Sequence, residues 1–341
     1  MVVTMFLTMF LATACTSNNS LRRWYAEALE YDRKGMTEQA IDRYEMVLNA
    51  SPMFEGAQTN LAILKAKQGD SAAALSAVRK ELVYHPELPE ARLNEALLLQ
   101  AQGHPDAVRK ARALVGNFPN DPKAQLVLGA ALLAANDDSD GAFTAFDTVV
   151  KTGRQSQKAD AYFGRGFVFA ARGKYAEAAA DFKQVAQLRP DAVAHYNHAL
   201  MAARQKKFKG AARDLELSAA LDSNAVVVPH LAVIVHLSDN NDSAAAEAMK
   251  RARQLDQTRP GLDLLDGVLH YRAKRWSAAA TSFQAAAAND ASAAHFYLAL
   301  TRLAEDNLDA AHQAFEAAAA TASPHPDAAH NRDVLAQLLG K

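Results

Sequence analysis

The sequence holds one cysteine in 341 residues, Cys15, which excludes an internal disulfide and any structural zinc site built from several thiolates of one chain. It lacks a charge excess of either sign. Its 37 basic residues face 38 acidic ones, leaving no net field to concentrate a polyanion and removing the usual source of affinity for nucleic acid. Aromatic residues are scarce at 7%, although half the chain is hydrophobic. Alanine runs at 285–288 and 317–320 take up part of that share, and such small helix-forming side chains favour closely packed helices with almost no strand. Also absent are Gly-x-Gly-x-x-Gly, Gly-x-x-x-x-Gly-Lys-Ser/Thr and Gly-x-Ser-x-Gly patterns, so phosphate cradles and hydrolase elbows have no candidate. No cofactor, no metal and no catalytic residues are expected.

Residues 1–11 are almost wholly apolar, and Ala12, Thr13, Ala14 and Cys15 lead into a polar stretch at 16–20. An apolar segment of this length is too short to span a bilayer, which takes about 20 residues. The small residues read as a cleavage site. A cysteine placed this way resembles the lipobox of bacterial lipoproteins, although Ala12 stands where leucine is commonest and no basic residue precedes the apolar run. The resemblance implies a signal peptide at 1–15, a lipid on Cys15, and an outer-membrane lipoprotein facing the periplasm. Residues 16–20 would then form a tether reaching at most about 17 Å. An ordinary secretory signal, leaving a soluble periplasmic or secreted protein, is the alternative.

Beyond residue 20 the chain repeats. Small residues recur at Ala28, Ala62, Ala96, Gly129, Gly166, Ala199, Gly267 and Ala299, in steps near 34 or its multiple. A second series runs through Ala40, Ala74, Ala107, Ala142, Ala178, Ala211, Ala246, Ala279 and Ala311, each eleven to thirteen residues after a partner except Ala246, which pairs with Ile234. Two small positions per unit predict two helices pressed together. Gly35, Gly69, Gly103 and Gly173 mark the turn between them, since glycine readily takes the left-handed conformation that ends a helix. Pro52, Pro86, Pro119 and Pro190 close the second helix, and Tyr44, Phe146, Phe182, Phe283 and Phe315, one helical turn after the second alanine, fill the space between helices.

This pattern resembles the tetratricopeptide repeat (TPR), which places Trp, a small residue, Tyr, Ala, an aromatic and Pro at fixed points in 34 residues. The first unit has Trp24, Ala28, Tyr31, Ala40, Tyr44 and Pro52, and the fifth has Tyr162, Gly166, Phe169, Ala178, Phe182 and Pro190. The resemblance implies an all-α fold: a right-handed α-solenoid of about nine TPR helix pairs over 21–325, with a C-terminal capping helix in 326–341. Ala328, Leu335, Leu338 and Leu339 would form the apolar stripe of that cap. Departures are expected at Pro105, at the start of a second helix; near residues 136–140 and 152–157; and in the seventh unit. There Ile234 replaces a small residue and Lys250 an aromatic.

His195 and His198 lie three apart on one helix, a spacing that can present two nitrogens to a metal. In the repeat register both, like His230 and His295, fall at positions that pack between helices, and a structural role is the expected one.

In TPR proteins a concave surface is lined by the second, fifth, ninth and twelfth residues of the first helices. That register selects Tyr25, Leu93, Leu97, Leu126, Phe163, Phe167, Tyr196, Leu200, Leu231, Val235, Tyr271 and Phe296. The set is apolar and suits a helix or an extended apolar segment of a protein partner. The Lys and Asn combination that chaperone-binding TPR domains use against a C-terminal carboxylate is missing, and Asn60, Asn94 and Asn197 sit one place off. The expected function is a non-enzymatic, envelope-anchored scaffold assisting assembly of a secretion, pilus or motility machine. An adaptor for peptidoglycan hydrolases or proteases, and a ligand- or metal-binding protein, are the alternatives.

Overall fold

The computed structural model describes residues 18–136, 138–288 and 292–339. Cys15, the expected signal peptide and the start of the expected tether lie outside them. Among the described residues there are nineteen helices and no strand. In chain order these are α1 (Asn18–Arg33), α2 (Thr37–Ala50), α3 (Ala57–Lys67), α4 (Ser71–Tyr84), α5 (Pro89–Ala101), α6 (Ala107–Asn117), α7 (Pro122–Ala135), α8 (Ser139–Thr152), α9 (Gln155–Ala171) and α10 (Tyr175–Leu188). They continue as α11 (Ala192–Arg204), α12 (Phe208–Leu221), α13 (Val227–Ser238), α14 (Asp242–Leu255), α15 (Leu262–Arg272), α16 (Trp276–Ala287), α17 (Ser292–Ala304), α18 (Leu308–Ala320) and α19 (Ala328–Leu339). Two compact units divide them, one ending at Val168 and the other beginning at Phe169.

Within each compact unit helices pack on their successors, and several first helices also meet the first helix of the next pair, as α3 packs on α4 and on α5. The small residues make this possible. Ala28, Ala40, Ala74, Ala96, Ala142, Ala178, Ala199, Ala211, Ala279, Ala299 and Ala311 are all fully buried, so the backbones meet with nothing larger than a methyl group between them. Tyr44, Phe182, Phe283 and Phe315 fill the remaining gaps and are buried to within 1%.

Every unit turns between its helices on a single residue of positive φ. Four are the expected glycines, Gly35, Gly69, Gly103 and Gly173; the others are Asn136, Lys206, Asn240, Lys274 and Asp306. After Gly35 and Lys274, for example, the following amide reaches back to a carbonyl five residues earlier, Met36 N to Tyr31 O at 2.9 Å and Arg275 N to His270 O at 2.9 Å. This left-handed cap satisfies helix-end carbonyls whatever residue occupies it, which is why the repeat continues where glycine is absent.

The structure corrects the seventh unit by one residue. Val233 and Ala245 are fully buried, Ile234 is 39% exposed, and Ala246 and Lys250 face solvent, with Met249 buried in the aromatic's place. The strict 34-residue step from Ala199 to Gly267 passes through Val233, and valine is compact enough to serve as the small residue. Pro105 lies in the turn ahead of α6, whose N-cap is Asp106, rather than in the helix. In α19, Ala328 and Leu335 pack against Phe296 and Phe315, whereas Leu338 is 73% exposed and lies off the buried stripe.

Candidate protein-binding face

In a tightly paired array, the residue directly after the buried small residue of each first helix points away from the second helix. In the compact unit ending at Val168 these residues include Ile63, Leu97 and Phe167, exposed by 37%, 41% and 36%; in the one beginning at Phe169, Ile234 is exposed by 39%. Ile63 and Leu97 belong to neighbouring helices, α3 and α5, and line a groove of about 380 Å³ with Ala62, Ala66, Leu98, Asn94 and Lys67. Lys67 donates to Asp32 at 3.0 Å, so the polar margin is anchored by the preceding pair.

The twelve expected residues divide by exposure. Leu97 and Phe167 are open. Tyr25, Leu93, Leu126, Phe163, Tyr196, Leu200 and Tyr271 are half-buried. Tyr25 accepts a hydrogen bond from Asn60 Nδ2 at 2.8 Å and packs against Tyr44 and Phe54 with ring centres 5.8 and 5.0 Å away. Burial, first, and the Glu81 and Glu55 carboxylates push its phenol above the ordinary tyrosine value, against the opposing effect of the Asn60 hydrogen bond. Phe163 and Phe167 meet edge to face at 4.9 Å, and Tyr271 packs against Trp276 at 5.2 Å.

Three of the twelve are interior. Leu231 and Val235 are 6% and 1% exposed and sit in a cluster with Ala199, Ala211 and Leu215, because the true register of α13 lies one residue from the expected one. Phe296 is 8% exposed; His325, from the segment before α19, stacks on its ring at 3.6 Å, and Phe315 meets it edge to face at 5.5 Å. Ile63 and Ile234 were missed. Ile63 could have been found, since it follows Ala62 as Leu97 follows Ala96.

His195 and His198 converge on one carboxylate. Their Nδ1 atoms lie 3.2 and 2.8 Å from the two oxygens of Asp214 on α12. An ionised carboxylate only accepts, so both Nδ1 atoms carry hydrogen and are engaged by Asp214. Among the described residues no group of three or more His, Cys, Asp or Glu side chains is placed to hold a metal ion. The buried carboxylate of Glu81, on α4, is structural: it accepts from Gly56 N at 2.9 Å and Thr59 N at 3.2 Å, capping the start of α3.

Paired helices that pack in succession, with apolar residues exposed on α3 and α5, are the architecture of a helical-repeat scaffold for protein–protein contacts. The sequence carries the Tetratricopeptide repeat signature at residues 159–192 and, under a second profile of the same description, at 93–160 and 264–326. The chain belongs to the tetratricopeptide-repeat proteins.

Its fold is similar to that of a tetratricopeptide repeat protein from Parabacteroides merdae, at 18% identity and TM-score 0.55, covering 73% of this chain and 98% of that one. A chain of the APC/C Cut9–Hcn1 hetero-tetramer is similar at 14% identity and TM-score 0.56, covering 93% of this chain and 76% of that one. PilF of Pseudomonas aeruginosa is similar at 16% identity and TM-score 0.53, covering 60% of this chain and 92% of that one. No curated protein sequence matches the chain.

Proposed function

We propose that the protein is an envelope-anchored scaffold, held at the membrane by a lipid on Cys15, that docks an apolar segment of a protein partner during assembly of a secretion, pilus or motility machine. The observation that carries the docking is the groove of about 380 Å³ in the first compact unit, where the exposed Ile63 and Leu97 of neighbouring helices lie together. Isoleucine and leucine left open side by side on neighbouring helices mark a surface that meets another apolar surface. The anchor rests on the small-residue pattern ending at Cys15 and on the polar stretch after it.

A pull-down from envelope fractions with the membrane-retained chain tests the docking. The expected result is a defined protein partner whose recovery falls at least tenfold with Ile63→Ser and Leu97→Ser together; no partner, or undiminished recovery with that pair, overturns it. Labelled fatty acid incorporated by the wild type and lost in Cys15→Ser supports the anchor, and no incorporation overturns it.

A further inference from the structure

The second compact unit, from Phe169 onward, carries a cationic side chain with no ion-pair partner among the described residues. Arg259 lies in the loop between α14 and α15, and its buried Nε has no hydrogen-bond partner among the described residues. Nor does its guanidinium pair with the carboxylates nearby in sequence. Asp256 accepts from Thr258 N and Thr258 Oγ1, both at 3.0 Å, and Asp263 and Asp266 lie 2.6 and 3.8 Å from Arg253. A partly buried cation without an acceptor is costly, so chains rarely keep one unless something else supplies the acceptor.

Two further polar side chains, His230 and Tyr196, stand near it. Buried Nε2 of His230, on α13, has no hydrogen-bond partner among the described residues, and it lies against the loop's end: a Cβ placed on Gly261 would fall 3.4 Å from it. Tyr196 occupies the corresponding position on α11, which packs beside α13 as α13 does beside α15. The Arg259 charge reaches both. Burial, and then that charge, hold His230 below the ordinary histidine value; burial raises Tyr196, and the same charge partly offsets the rise. His230 is therefore neutral near pH 7, and the only full charge among the three groups is that of Arg259.

We infer that Arg259, His230 and Tyr196 form a subsite for a carboxylate on a protein partner, an acidic residue within the apolar segment that the scaffold docks. The terminal nitrogens of a guanidinium fork match a carboxylate in two parallel hydrogen bonds, Tyr196 Oη can donate to a remaining lone pair, and neutral His230 beside them adds no competing charge. The flanking residues select a segment over a free anion. Ile234, one helical turn beyond His230, is 39% exposed, and Leu200 is half-buried one turn beyond Tyr196, so apolar contacts adjoin the charge. This inference rests on the scaffold reading and adds the charge of the partner to it.

The test is calorimetric titration of the full chain with a blocked helical peptide of leucine and alanine bearing one central glutamate, with the same peptide bearing glutamine, and with inorganic phosphate. The glutamate peptide is expected to bind at least tenfold tighter than its glutamine twin, with the preference lost in Arg259→Gln and reduced about threefold in Tyr196→Phe. Equal affinity for the two peptides, or a preference that survives Arg259→Gln, overturns the inference. So does phosphate binding that Arg259→Gln abolishes while the peptides go undiscriminated, which would mark a small-anion site. Arg259→Leu should leave the melting temperature unchanged or raise it; a fall of several degrees would show that the guanidinium serves the fold. Loss of peptide discrimination alongside a pull-down that still depends on Ile63 and Leu97 sinks this inference and leaves the scaffold standing, whereas a pull-down without any partner sinks the scaffold.

Discussion

The ring of Phe283 occupies the space that a side chain at residue 267 would need: a Cβ on Gly267 would fall 2.5 Å from ring carbons Cδ1 and Cε1. Alanine in a helix interior outranks glycine by about 1 kcal/mol, so Gly267→Ala would stabilise α15 if there were room. Phe283 is fully buried and cannot withdraw. Gly267→Ala is therefore expected to destabilise by about 1–3 kcal/mol through overpacking. In Gly267→Ala/Phe283→Leu the loss should be less than the sum of the single changes, measured by urea unfolding. Additive losses would show that the ring and the glycine are not coupled.

The turn of the eighth unit makes the opposite case. Lys274 has φ 57°, in the left-handed region, yet its amide and the next one keep the same cap bonds as the glycine turns, to Tyr271 O at 3.0 Å and His270 O at 2.9 Å. A side chain there costs about 1 kcal/mol or more through the contact of Cβ with the carbonyl. Lys274→Gly should raise stability by about that amount, and Gly35→Ala, at φ 73°, should lower it similarly.

Asp214 links stability to pH. Burial acts to raise its carboxyl, but hydrogen bonds from His198 and His195 outweigh that and hold it below the ordinary carboxylate value. A depressed folded-state value means that the stabilisation is complete above the unfolded-chain value, about 3.9, and is lost as pH falls through the folded one. Asp214→Asn should cost about 1–2 kcal/mol at pH 7, from weakened charge-assisted hydrogen bonds. Denaturation series should show the gap between wild type and variant narrowing below pH 4; a constant gap would remove the carboxylate from the account.

The corrected seventh unit gives a direct test of register. Ala245 is fully buried and Ala246 exposed, so Ala245→Leu should destabilise by about 1–3 kcal/mol while Ala246→Leu stays within about 0.5 kcal/mol. Reversal of that order would restore the register that alanine alone suggests.

Most of the architecture was legible because its signal is repeated. Each unit restates two small residues and a turn, so an error in one leaves the others standing. The seventh unit was misread because side-chain size was weighed above spacing: Val233 keeps the 34-residue step, and the neighbouring Ile234 and Ala246 drew the eye off it. Surface exposure was less legible, since position within a helix fixes direction but not what lies opposite. Phe296 has the right position and is covered by His325, which comes from outside the repeat. Arg259 escaped for a related reason: it stands in a loop, where the repeat assigns no role, and its lack of a partner is a property of folded neighbours rather than of spacing.

The end of the array depends on the same distinction. α19 covers the last pair through Ala328 and Leu335, which meet Phe296, Phe315 and Ala318, while Leu338 of the same helix stays open. Truncating a buried leucine removes its contacts and leaves a cavity, so Leu335→Ala should cost about 2–4 kcal/mol and Leu338→Ala less than about 0.5 kcal/mol. Because each unit of a repeat array is supported by its neighbours, the loss should appear first as faster amide exchange in α17 and α18, with α11 and α12 unchanged. Uniform loss of protection across α10 to α19 would mean that those helices open as one cooperative body.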